Sequence, residues 1–130
     1  MATDTILTKW SNDFVGVMEA PRGKVLLGDQ PDGVSPYNLL FGALASCFYA
    51  TFLSIANKKR LTFASATVEI SGRKRDDKIA TLEYVKIVLT IKDPSDEAQM
   101  LRSAELGAQY CSVHETVSKV AKVDLEVKFD

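Results

Sequence analysis

From Leu39 to Ala56 the chain has no charged residue and no proline, and apolar side chains occur on every turn of a helical period. Ser35 and Pro36 open this run with a capping hydroxyl and a residue suited to the first helical position. The pattern predicts a helix from Pro36 to Lys58, about 34 Å long at 1.5 Å per residue. An uncharged run of this length meets the lower limit for crossing a membrane. Ser46, Cys47, Tyr49, Thr51 and Ser54 interrupt it, however, and no second such run exists. The better reading is a central, buried helix surrounded by other structure. Gly42, Ala43, Ala45, Ser46 and Ala50 would let neighbours approach closely.

The remaining pattern is mostly two-residue alternation. Phe14 to Ala20 and Lys24 to Gly28 predict two short strands, with a turn at Pro21–Arg22–Gly23. Asp29 to Ser35 is a loop. In Leu61 to Arg75, Ala66, Val68 and Ile70 alternate with Thr67, Glu69, Ser71 and Arg73. After a polar turn at Asp76–Asp77–Lys78, Leu82 to Lys92 alternates again, with Val85, Ile87, Leu89 and Ile91 on one face. Together they predict a long antiparallel hairpin with one wet face.

Asp93–Pro94–Ser95 ends the hairpin, and Ser95 is placed to cap a second helix that begins with Asp96 and Glu97. Leu101, Ala104, Ala108 and Cys111 form its apolar stripe. Ser112 to Lys122 reads as a third helix with Val113, Val117, Val120 and Ala121 inward. Val123, Leu125, Val127 and Phe129 alternate with Asp124, Glu126, Lys128 and Asp130 in a final strand. The order ββ–α–ββ–α–α–β predicts one α+β domain over residues 1–130, an antiparallel sheet with its helices on one side.

Composition changes this picture little. The 130 residues are 46% hydrophobic and 25% charged, and the net charge of −1 implies no field for nucleic acid. Lys58–Lys59–Arg60 supplies positive charge at the negative end of the long helix. The N-terminus lacks a signal-peptide pattern, so a cytoplasmic location is expected, with no membrane partner. With one histidine, two cysteines and no ligand-type spacing, neither a metal nor any other cofactor is expected.

Four residues are candidates for chemistry. Cys47 lies at mid-helix, either as a small buried hydrophobe or as a nucleophile. Cys111 stands at a predicted helix start, where oriented N–H groups would lower a thiol pKa, or it simply completes an apolar stripe. His114 is spaced to face Cys111 across one turn, as a base or as packing. Arg22 is either a cation that favours a thiolate or a solvated turn residue.

Two segments together point further: DQPDGVSPYNLLFGALASCFYATFLSIA and, later in the chain, YCSVHETV. They resemble the OsmC/Ohr superfamily of osmotically inducible and organic hydroperoxide resistance proteins. In that family a loop ending in proline leads into a central helix with a cysteine, and a second cysteine follows in a C-P-V-type motif. The resemblance implies an intertwined homodimer with the two long helices at its core. It also implies a helix cysteine that attacks a hydroperoxide and a second cysteine that resolves the sulfenic acid to a disulfide. A thiol reductant, such as a dihydrolipoyl protein, restores the pair. Cys47 matches the attacking residue and Cys111 the resolving one. Family peroxidases also pair a glutamate near the helix start with an arginine. Here Tyr37 and Asn38 occupy those places, Arg22 is the only arginine before the helix, and Ser112 replaces the proline.

The reading is a thiol-dependent hydroperoxide reductase of stress defence, with Cys47, Cys111 and Arg22 catalytic. Tyr37, Asn38, Phe41, Phe48 and His114 are its expected substrate contacts. The alternative is a non-enzymatic protein of the same fold that binds a small hydrophobic or thiol-reactive ligand at the dimer interface.

Overall fold

The structure is a computed structural model that describes all 130 residues. It contains six strands and three helices, β1 (Leu7–Trp10), β2 (Val15–Ala20), β3 (Gly23–Gly28), α1 (Pro36–Lys58), β4 (Ser65–Lys74), β5 (Leu82–Lys92), α2 (Glu97–Gln109), α3 (Ser112–Ser118) and β6 (Lys122–Phe129). The α+β class and the element order agree with the hydrophobic pattern, except for β1. Its four residues are all exposed, so they carry no alternation to read. The chain forms two units, Met1–Leu40 and Phe41–Asp130.

The first unit is the antiparallel sheet β1–β2–β3, the loop after it and the first residues of α1. Its only fully buried apolar side chain is Leu27. Trp10 and Phe14 stack with ring centroids 5.5 Å apart, yet both remain exposed. With Thr8, Met18, Val34 and Leu39 they line an apolar groove of about 330 Å³. Gly28 ends β3 at φ 84°, a conformation in which a side chain would collide with the Phe14 carbonyl.

The start of α1 is a reciprocal cap. The Ser35 hydroxyl accepts from the Asn38 N–H at 3.3 Å, and Asn38 Oδ1 accepts from the Ser35 N–H at 3.0 Å. This is the capping-box arrangement with asparagine in the usual Glu/Gln position.

The second unit holds the remainder of α1, the sheet β4–β5–β6 and the two short helices. The hairpin expected from alternation is present: Val68 pairs with Leu89 and Ile70 with Ile87 across β4 and β5. β6 joins β5 in parallel, so the sheet is mixed rather than wholly antiparallel. Two helices lie between β5 and β6, and a connection of that length lets the chain re-enter in the same direction. The wet face carries charge pairs such as Lys86 Nζ to Glu126 Oε2 at 2.9 Å.

Only one stripe of α1 is buried: Leu44, Phe48, Phe52 and Ala56, spaced four residues apart. Within one chain the helix is thus buried on one side only. Gly42, Ala43, Ser46, Ala50 and Ser54, on the opposite side, are exposed because no element of the chain covers them. The helix ends in a Schellman turn, with Arg60 N–H donating to Asn57 O and Leu61 N–H to Ala56 O, each at 3.0 Å. Arg60 takes the left-handed position at φ 58° that glycine usually fills.

Helix α2 is capped by Asp96, not Ser95: Asp96 Oδ1 accepts from the Gln99 N–H at 3.0 Å. Ser95 instead accepts from the Thr62 N–H. The buried face of α2 is Met100, Ser103, Ala104, Gly107 and Ala108, and Leu101 is exposed. Helix α3 stops at Ser118, which leaves Val120 outside it and exposed.

Gly107 carries the contact between α2 and α1. A Cβ there would lie 3.0 Å from Phe52 Cα and 3.1 Å from Phe52 N, so a side chain would force backbone of α1 to give by a few tenths of an ångström. We predict that Gly107→Val lowers the unfolding free energy by about 2 kcal/mol or more, because the clash is with backbone atoms. Urea denaturation checks this, and a variant as stable as wild type would contradict the packing described.

Candidate active site

Cys47 sits on the flank of α1, between its buried stripe and its exposed face, and is partly accessible. Its helical position is fixed by the stripe residues on either side, Leu44 and Phe48. Opposite it lies the junction of α2 and α3. Helix α2 ends at Gln109, Tyr110 closes it, and Cys111 caps α3 with an extended backbone (φ −80°, ψ 117°). Cys111 is 1% exposed, and its Sγ accepts from the His114 N–H at 3.3 Å. A thiol thus stands where serine or aspartate normally caps a helix.

This junction brings the two cysteines together. Ser112 Oγ lies 3.9 Å from Cys47 Sγ. The Cys111 thiol and the backbone N–H groups of Ser112 and Val113 also favour the Cys47 thiolate.

These contacts divide the acidity of the pair. Burial pushes the Cys47 thiol up, but the hydrogen bonds from Cys111, Val113 and Ser112 outweigh it, and the pKa falls below its ordinary 9.0. Burial pushes the Cys111 thiol up to about 11, with help from its hydrogen bond to Cys47 and from the Cys47 charge. The His114 and Val113 amides offset this only in part. The expectation that the helix start would acidify Cys111 is therefore corrected. Cys111 is too deeply buried, and the charge it would carry lies beside another thiolate. The acidified thiol is Cys47.

His114 contributes differently from expectation. Its contact with Cys111 is made by the backbone N–H, not by the imidazole. Burial lowers the imidazole pKa below 6.5, partly offset by Glu115, so the ring is neutral at pH 7. Phe48 is also corrected, because it is wholly buried in the core stripe and offers no surface to a substrate. Phe41 is half-buried, with its ring tip over Gly72.

Arg22, Tyr37 and Asn38 belong to the first unit. Arg22 is exposed in the turn between β2 and β3. Tyr37 is half-buried in the first turn of α1, where the Asn38 side chain is engaged in the cap. Sequence reasoning overlooked Ser112 and Val113. The serine in place of the family proline was visible, but its effect on Cys47 depended on a juxtaposition that no spacing reveals.

The sequence pattern of the OsmC-like protein family matches residues 28–126, which include both cysteines. The chain belongs to the OsmC-like family. Its fold is shared with a hypothetical protein from Aquifex aeolicus VF5, at 22% identity and a TM-score of 0.84, over 100% of this chain and 99% of the other. An OsmC-like protein from Mycoplasma pneumoniae superposes with a TM-score of 0.86 at 18% identity, over 98% and 97% of the two chains. The organic hydroperoxide resistance protein OhrB of Bacillus subtilis gives 0.72 at 16% identity, over 98% of each. No curated protein sequence matches this chain. The OsmC/Ohr fold is a soluble one, although α1 is long and apolar enough by composition to cross a membrane.

The divided acidity predicts selective modification. Thiolate is the reactive form, and a lowered pKa means that reactivity develops as pH rises through a midpoint below 9.0. Iodoacetamide at pH 8 should label Cys47 and leave Cys111 unmodified in the folded protein. Mass spectrometry of the tryptic peptides checks this, and equal labelling of both would contradict the assignment.

Proposed function

We propose that this OsmC-like protein is a thiol-dependent reductase of organic hydroperoxides, acting as a cytoplasmic homodimer in stress defence. The observation that carries this reading is the contact between an acidified, accessible Cys47 and a buried, protonated Cys111. The Cys47 thiolate attacks the outer oxygen of the hydroperoxide and the O–O bond breaks. The alkoxide leaves and takes a proton from water to become the alcohol, and Cys47 becomes a sulfenic acid. Cys111 then attacks the Cys47 sulfur. Its proton departs with the hydroxyl as water, and a disulfide forms. An external dithiol of the dihydrolipoyl type supplies two electrons and two protons to restore both thiols.

In this reading Arg22 has a secondary part, because hydrogen bonds from the chain itself already hold the thiolate. Of the expected apolar contacts of the substrate, Phe41 belongs to the same unit as Cys47 and is half-buried, and the contact is assigned to it.

Two features support the homodimer. The exposed face of α1 is made of Gly42, Ala43, Ser46, Ala50 and Ser54, and nothing lies within 4 Å of a Cβ built on Gly42. A glycine in mid-helix costs about 1 kcal/mol against alanine, and close approach by a second copy gives that cost a reason. In the first unit, the groove of Trp10, Phe14 and Met18 leaves apolar surface uncovered.

The alternative, a non-enzymatic binder of a small hydrophobic or thiol-reactive ligand, is favoured by one observation, the uncovered apolar groove of Trp10, Phe14 and Met18. Turnover separates the two. With cumene hydroperoxide and dihydrolipoamide, wild type should consume peroxide, Cys47→Ser should fall to background, and Arg22→Ala should keep about a tenth or more of the rate. Background rates in wild type would leave the binding reading standing. The dimer is checked by sedimentation velocity, in which wild type should run as a dimer and Ala50→Arg as a monomer. A monomeric wild type would overturn the assembly.

A further inference from the structure

We propose that Ser112 is a catalytic residue, a donor whose hydroxyl favours the Cys47 thiolate in this chain. Its role in turnover rests on the peroxidase reading, but its effect on the Cys47 thiol does not. Ser112 opens α3, immediately after the capping Cys111. Its Oγ lies 3.9 Å from Cys47 Sγ, and its side chain is exposed rather than packed, so the hydroxyl is free to turn its hydrogen to the sulfur. Its backbone N–H also favours the Cys47 thiolate, after the larger effects of Cys111 and Val113.

The position is informative because of what the related motif places there. A C-P-V-type sequence has proline at this point, and proline offers neither a hydroxyl nor an N–H. A chain of that type must hold its thiolate by other means, and the pairing of glutamate with arginine is one. In this chain Tyr37 and Asn38 stand where the glutamate would be, and Asn38 Oδ1 accepts the Ser35 N–H at the helix cap. Serine at 112 supplies a donor beside the sulfur that proline could not offer. Hydrogen bonds to a charged acceptor are stronger than neutral ones, so they are suited to this substitution.

The test uses alkylation, which requires no peroxide and so reports on Ser112 even in a protein without turnover. The rate of iodoacetamide labelling at Cys47 is followed by peptide mass spectrometry as a function of pH for wild type, Ser112→Ala and Ser112→Pro. The proline variant removes both donors and is compatible with the backbone. Proline suits the first helical position, and Cys111 before it is already extended (φ −80°, ψ 117°). We expect the midpoint to rise from wild type to Ser112→Ala and again to Ser112→Pro. Because a weaker acid gives a stronger nucleophile, the midpoint is the decisive readout, and the rate at pH 7 should fall by about threefold in Ser112→Ala. A Ser112→Ala midpoint equal to that of wild type would overturn the proposal, whatever the peroxide assay shows.

Discussion

At Cys47 the thiol is made more acidic than usual by the groups around it, the neighbouring thiol, the Ser112 hydroxyl 3.9 Å away and two backbone amides. Removing part of a thiol from water disfavours the thiolate, so several donors must converge to reverse that cost. They converge because α3 begins where α1 presents the cysteine. The same junction buries Cys111 and leaves it protonated. A more acidic thiol and a less acidic one thus follow from one contact between two helices.

The rest of the second unit keeps that contact in place. Leu44, Phe48, Phe52 and Ala56 fix the rotation of α1, which leaves Cys47 on its flank. Gly107 lets α2 close against Phe52, and the chain then passes through Tyr110 directly into the capping Cys111. Helix α3 has only seven residues and is too short to persist alone. Its buried Val117 and the flanking Cys111 and Ala121 tie it to the core. The Arg75 guanidinium adds a hydrogen bond to the Val120 carbonyl at 3.1 Å.

Much of this was legible beforehand where a regular period controls the structure. The alternation around Ile70 and Ile87 identified the hairpin, and the uncharged run identified α1 with its boundaries. Periodicity was silent where burial depends on distant partners. It could not show that α1 buries a single stripe, that β6 runs parallel to β5, or that Met100 rather than Leu101 faces inward. The two cysteines were recognisable as a pair from their motifs. Their acidities were not, because the helix-start amides expected to serve Cys111 also reach Cys47, and burial decides against Cys111. Asn38 was assigned to a site on its place in the family pattern and Phe48 on residue type, whereas local capping and core packing claim them.

The central claim is that Cys47 and Cys111 of one chain form a redox couple. It is tested most directly by adding one equivalent of cumene hydroperoxide to the reduced protein without reductant. The products are then mapped by mass spectrometry of the non-reduced digest. A Cys47–Cys111 disulfide within a single chain, formed in proportion to the peroxide added, is the predicted result. Two thiols that remain free while the peroxide persists would contradict it.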